Sequence, residues 1–377
     1  MRNTPIFQAA AAIALAAAGT DMSYVKQGDG PYLWSDTSAW YDASGETALG
    51  ALPTASDGVY IRASFSAGSP LQIGNGCSAA TAAFETYGVA NEPFFMSIAN
   101  GGSLASAGNA VWGRTAGTNV VTVEEGGKAT FAATLELGRT AGNTTILTNR
   151  GDITANSLYI GDYNGASGII ENYGTITVID NFQMSRSWNK EGTPTTGRLH
   201  LHRGSSFRKT SAGYMYVGNS GVGDLIVENT LQMASGDQMV VAQGSNSKGS
   251  ITILGDGIVT NTGTSSFRVI AAKGQGSTAS LTMQDNAFMY VRHTDGALIL
   301  GNAENSSASL RMKDNTAIRT VNSGLECGSG VSSQVDIEMS GNAYLNSGST
   351  AQMAIGTSMY SVKGESEKIL HGSAVKA

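Results

Sequence analysis

The clustered titratable side chains that could do chemistry in this sequence are centred on His202, in Arg198-Leu199-His200-Leu201-His202. Strand side chains alternate between faces, so two imidazoles two residues apart point the same way. Leu199 and Leu201 then face inward, and Arg198, His200 and His202 face outward. Aligning the chain on Asn172, Arg203 and Asn229 predicts that Glu171, His202 and Glu228 lie at one level of three neighbouring strands. At the usual spacing of about 4.8 Å each carboxylate reaches the imidazole. Two nearby negative charges favour its protonated form. A His-x-His pair with a carboxylate is also zinc-ligand chemistry, but the strand-borne pair alone supplies no third ligand. The expectation is a solvated ion-pair ladder, each pair worth under about 1 kcal/mol, with no metal and no cofactor. A further binding candidate is Trp188, in the polar run from Ser187 to Gly197. Ser185 to Gly218 spans 33 residues where neighbouring units take 23 or 24, so this run is expected to project as a loop. An exposed indole there would stack on a sugar ring; the alternative is that it folds back over apolar side chains.

Other chemistry is thin. Enzymes that cleave polysaccharides on a β-helix place two or three carboxylates, with an Arg or Lys, on adjacent coils. The acidic residues here are scattered and no Asp-Asp pair occurs. A pocket with two carboxylates within about 10 Å and a neighbouring Arg would favour that rival reading. Gly221-Val222-Gly223-Asp224 matches part of a calcium-binding Gly-rich nonapeptide, but lacks its nine-residue period. Arg150-Gly151-Asp152 is an Arg-Gly-Asp tripeptide placed where the chain needs a corner. The chain is not expected to be an enzyme.

What must position these residues is a repeat. An apolar pair followed by a small residue recurs at Val111-Trp112-Gly113, Leu135-Glu136-Leu137-Gly138, Tyr159-Ile160-Gly161, Tyr216-Val217-Gly218, Ile299-Leu300-Gly301 and Glu326-Cys327-Gly328. Ser185, Ala242 and Ala271 stand where Gly stands elsewhere. A short alternating strand follows each phrase, as at Leu281-Thr282-Met283 and Leu310-Arg311-Met312. Gly113, Gly138 and Gly161 lie 25 and 23 residues apart, and Gly301, Gly328 and Gly356 lie 27 and 28 apart. Strand-length units at this period define a β-solenoid. Asn172, Asn229, Asn286, Asn315 and Asn342 are expected at one corner, where Asn tolerates left-handed backbone and stacks into ladders. About ten coils at about 4.8 Å each give an all-β rod on the order of 50 Å long.

Composition and the chain ends set the boundaries. Met1-Arg2-Asn3 followed by an apolar stretch to Ala18 reads as a signal peptide over residues 1–19. Residues 20–58 form a lead-in and N-terminal cap carrying Trp34, Trp40 and Tyr41. The solenoid covers 59–362, and 363–377 is a polar tail. Charged residues are 14%, and the net charge of −6 argues against nucleic acid and anionic membranes as partners. No stretch after the leader is long enough to span a membrane. Cys77 and Cys327 lie some nine coils apart, roughly 40 Å, and are expected to be unpaired.

The Leu-Glu-Leu-Gly, Leu-Tyr-Ile-Gly and Met-Tyr-Val-Gly phrases resemble two bacterial groups. One is the β-solenoid passenger region of autotransporters; the other is the related repeat of exported proteins with C-terminal sorting tails. The lead-in from Leu33-Trp34-Ser35-Asp36 to Tyr60-Ile61 is similar to the start of such repeats. The resemblance covers roughly residues 33–360. It implies a right-handed coil, a secreted or cell-surface protein, and a structural or adhesive role toward surface glycans or host or neighbour-cell proteins. A terminal barrel-forming strand series and a hydrophobic sorting tail are both lacking, which departs from the two groups.

Overall fold

In the computed structural model, the described residues are 19–87, 92–163, 165–186, 193–234, 236–262, 266–294, 296–322, 324–347, 353–355, 360–363 and 375–376. They build a parallel β-solenoid of stacked three-strand coils. One coil is Ser167–Asn172 on the first face, Thr175–Val178 on the second and Phe182–Met184 on the third. The next is Thr196–Leu201, Ser206–Lys209 and Tyr214–Val217. Each strand pairs in parallel with its counterpart one coil away. The first face alone carries thirteen strands, from Tyr32–Leu33 to Tyr360–Lys363. Two early strands, Lys128–Leu137 and Asp152–Ile160, run through the second and third faces, with a register shift between Phe131 and Thr134. The sole helical element among the described residues is the 3-10 turn Thr37–Ala39.

Alternation in the sequence becomes inside and outside. On the first face Leu147, Ile170, Leu199, Leu225, Ile251, Leu281, Leu310 and Ile337 sit level with one another and are all buried. A single coil leaves such residues wet above and below, whereas the stack encloses them. Full burial of one such side chain is worth roughly 1.5–3 kcal/mol. The first rungs are closed by aromatic rings. Trp34 and Trp40 are fully buried, their centroids 4.6 Å apart, and Trp40 Nε1 donates to the Trp34 carbonyl at 2.9 Å. The strand Asp21–Tyr24 pairs in parallel with Gly58–Ile61, so the lead-in is itself built onto the stack. At the other end Tyr360–Lys363 and Val375–Lys376 pair onto the first and third faces.

The corner leaving the third face uses left-handed backbone in coil after coil. Gly113, Gly138, Gly161, Ser185, Gly218, Ala242, Ala272, Gly301 and Gly328 all have φ between 57° and 95°. In several coils the next residue donates its N–H to the carbonyl of the corner residue one coil back, as Asp162 does to Gly138 and Lys273 to Ala242. A Cβ at Gly161 would lie 2.2 Å from the Thr196 carbonyl oxygen, so glycine is required there sterically as well as by φ. The expectation that Ala271 occupies this corner is off by one: Ala271 pairs with Val241 and Leu300 in the strand, and Ala272 makes the turn.

The five asparagines do not share one corner. Asn172 is inside the coil, level with Asn149 and Leu201; Asn149 Nδ2 donates to Asn172 Oδ1 at 2.7 Å. Asn286, Asn315 and Asn342 form a separate, exposed ladder, with amide-to-amide bonds of 3.2 and 2.9 Å. The left-handed residue at that corner is the one before, namely Asp285, Asp314 or Gly341. Asn229 joins neither set and donates to the Ser205 carbonyl. Both cysteines are free, and burial pushes the Cys327 thiol up to about 12.

Candidate functional site

Three neighbouring first-face strands carry the histidine cluster: Ser167–Asn172, Thr196–Leu201 and Val222–Val227. Arg198 and His200 point outward and Leu199 and Leu201 are fully buried, as the alternation predicts. The register differs from expectation. Glu171 is level with His200, not His202, and Asn172 is level with Leu201, not Arg203. The cause is the inward Asn172: it occupies an apolar core position and was mistaken for a corner residue. One position further along, His202 N–H donates to the Asn172 carbonyl and Glu228 N–H to the Leu201 carbonyl. That places Tyr173, His202 and Glu228 at the next level.

Side chains cross between the two levels. Glu171 Oε2 lies 2.8 Å from His202 Nε2 and 3.3 Å from His200 Nδ1. Glu228 Oε1 lies 3.2 Å from His200 Nε2. Glu171 thus reaches both rings, while Glu228 reaches His200 rather than the His202 expected. The imidazoles are 13% and 20% exposed, so both are largely shielded from water. Tyr173 stacks flat on His202 at 4.0 Å with a 4° interplanar angle, and the Arg150 guanidinium lies 5.4 Å above Tyr173. Tyr173 and Arg150 escaped sequence reasoning because the misplaced register put neither beside the histidines. The tripeptide arginine is therefore engaged with an aromatic ring. Trp188 lies outside the described residues, as does most of its loop. Of the run expected to project, Thr195 is buried and Thr196 and Gly197 begin the next strand.

A second cluster also escaped. On the third face Glu136 is level with Tyr159. Arg139, Asp162 and Arg186 follow the corner residue in successive coils. Asp162 Oδ1 is 2.5 Å from Arg186 Nε, and Glu136 Oε2 is 3.3 Å from Arg139 Nε. Arg186 also lies 4.3 Å over the Tyr159 ring. Burial pushes both carboxyls up. The Arg186 guanidinium opposes this at Asp162. At Glu136 burial and then the Asp162 charge outweigh the Arg139 guanidinium and push the carboxyl up to about 7. The legible signal was the alternating sign of the residue after each corner: Arg139, Asp162, Arg186.

Two carboxylates beside arginines are the constellation set out above as the mark of a glycan-cleaving site. The geometry differs in one decisive respect. A glycosidase pair stands open on either side of the scissile bond, whereas Glu136 and Asp162 are closed off from solvent. Their side chains are 7% and 0% exposed, with the two arginines lying over them. A shallow groove of about 230 Å³ on the first face, lined by Thr282, Gln284, Arg311, Lys313 and Glu338, is smaller than typical ligand pockets of about 300–1,000 Å³. No helix among the described residues is long and apolar enough to cross a membrane.

No family model and no curated protein matches the chain. Among solved structures it is similar to a hyper-glycosylated TibA fragment, modified in a TibC-catalysed reaction. The identity is 17% over 82% of this chain and 89% of that one, with a TM-score of 0.19. So loose a likeness adds nothing to the fold read from the strand ladders and bears on no residue.

Proposed function

We propose that this chain is an exported bacterial β-solenoid with a structural or adhesive role at the cell surface, and not an enzyme. The supporting observation is how the outer faces are furnished. Successive first-face strands present short hydroxyl side chains outward, such as Ser250, Thr252, Ser280, Thr282, Ser307 and Ser309. A long regular stack whose exterior sets such hydroxyls among its charged groups suits a spacer or a contact surface for glycans or for proteins of neighbouring or host cells. The signal-like start from Met1 to Ala18 and the resemblance of the repeat phrases support export. The single observation favouring a polysaccharide-cleaving enzyme instead is the Glu136–Asp162 pair. Its enclosure and its ion pairs to Arg139 and Arg186 support a structural role. The test is a glycan-binding array run beside a lyase and hydrolase screen on the same purified protein. Binding without turnover is expected. Turnover abolished by Glu136→Gln or Asp162→Asn, with folding intact, would overturn the proposal.

A further inference from the structure

We propose that Glu171, His200 and His202 form a binding site for a late first-row divalent cation, zinc above all, with Glu228 orienting His200. The third ligand that the His-x-His pair lacks in sequence is supplied by the neighbouring strand. Glu171 Oε2, His200 Nδ1 and His202 Nε2 lie within 4.8 Å of one another. Metal–ligand bonds of about 2.0–2.1 Å in a tetrahedron put ligand atoms roughly 3.3 Å apart. The observed separations of 3.3 Å and 2.8 Å from the Glu171 oxygen are close to that edge length. Small side-chain rotations bring all three onto one ion.

The surroundings are those of a ligand set held in place. With Nδ1 turned toward the ion, His200 Nε2 is left to donate to Glu228 Oε1 at 3.2 Å. A carboxylate on the remote nitrogen of a ligating histidine fixes its tautomer and raises its basicity. His202 is fixed by the flat Tyr173 ring, itself beneath Arg150. The strand backbone sets the two histidines apart by one repeat of the pleat, and the register sets Glu171 level with His200. Two imidazoles and one carboxylate select zinc, copper or nickel over calcium or magnesium, which take oxygen ligands. Three protein ligands at the surface leave a coordination position for water or for a group from a partner. This site is independent of the adhesive reading and stands or falls by itself.

The test uses untagged full-length protein stripped with EDTA and titrated with Zn²⁺ by calorimetry, with Co²⁺ as a spectroscopic substitute. One ion per chain is expected, with a Co²⁺ visible spectrum of a four- or five-coordinate site. His200→Thr and His202→Thr should each lose binding while keeping the strand-rich circular dichroism, because both side chains point out of the core. Glu228→Gln should weaken binding about 10- to 100-fold. His293→Ala should leave it unchanged. Absence of stoichiometric Zn²⁺ binding, or binding that survives His202→Thr, would overturn the proposal. The Co²⁺ spectrum of the unmutated protein keeps the test decisive if a variant misfolds.

Discussion

Glu136 carries the clearest pH signature of any single residue. Its carboxyl is buried beside Asp162 and pushed up to about 7 from an ordinary value of 4.5. Between those values the folded chain keeps a proton that the unfolded chain has released. Stability contributed by this group is therefore fully present below about pH 4.5, and it is lost as the pH rises toward 7. Thermal melts of the wild type and Glu136→Gln across this window should diverge, the wild type losing ground as the pH increases. Parallel curves would show that Arg139 and Arg186 keep Glu136 ionised throughout. The left-handed corners give a second prediction. Ala242 and Ala272 hold φ of 57° where six other coils use glycine. Left-handed backbone costs an alanine about 1–2 kcal/mol, while a glycine adds about 0.5–1 kcal/mol of chain entropy to lose. Ala242→Gly and Ala272→Gly should each stabilise by roughly 0.5–1 kcal/mol in denaturant titrations. Gly161→Ala, whose Cβ meets the Thr196 carbonyl at 2.2 Å, should instead destabilise by about 2 kcal/mol or more.

The strand Ser206–Lys209 ends with a lysine in a core position, level with Val178 and, by the same register, Met233. Lys209 Nζ lies 2.8 Å from Asp237 Oδ1 and both side chains are fully buried; Asp237 also accepts the Ala234 N–H. Burial pushes the Asp237 carboxyl up and Lys209 opposes that shift. Removing one partner strands the other charge, so Asp237→Ala should cost about 3–5 kcal/mol. Lys209→Met with Asp237→Asn should recover most of that loss, because an apolar side chain suits the column and the amide keeps an acceptor for Ala234. A double-variant melt no better than Asp237→Ala would refute this account of the pair. The strand also shows where sequence reasoning stops. Alternation in Leu199-His200-Leu201 was legible, because burial follows the pleat. Lys209 inside the coil was not, since its partner lies 28 residues away in a corner. The same holds for Asn172, whose amide bonds only make sense once Asn149 is seen beneath it.

Across the molecule, the stack itself was written in the recurring apolar-apolar-Gly phrase, because every coil must solve the same turn at the same place. Register was not written there. Coil length drifts from 23 to 33 residues, as Gly138–Gly161 and Ser185–Gly218 show, so no fixed offset carries one coil onto the next. An error of two residues at Asn172 was enough to move Glu171 from His200 to His202. The histidine cluster survived that error only because Glu171 reaches both rings. The acid pair at Glu136 and Asp162 did not, since it depends on a strand residue and a corner residue 26 positions apart coming together. In-register parallel stacking is therefore the central claim, and spin labels test it most directly. Thr282 is level with Arg311, and Arg311 with Glu338, all on the outer surface of the first face. With Cys77 and Cys327 replaced by alanine, nitroxides are placed at Thr282→Cys with Arg311→Cys, and at Thr282→Cys with Glu338→Cys. Strands about 4.8 Å apart predict strong dipolar broadening for the first pair and weaker broadening for the second. A spectrum of the first pair equal to the sum of its two single-label spectra would contradict the stack.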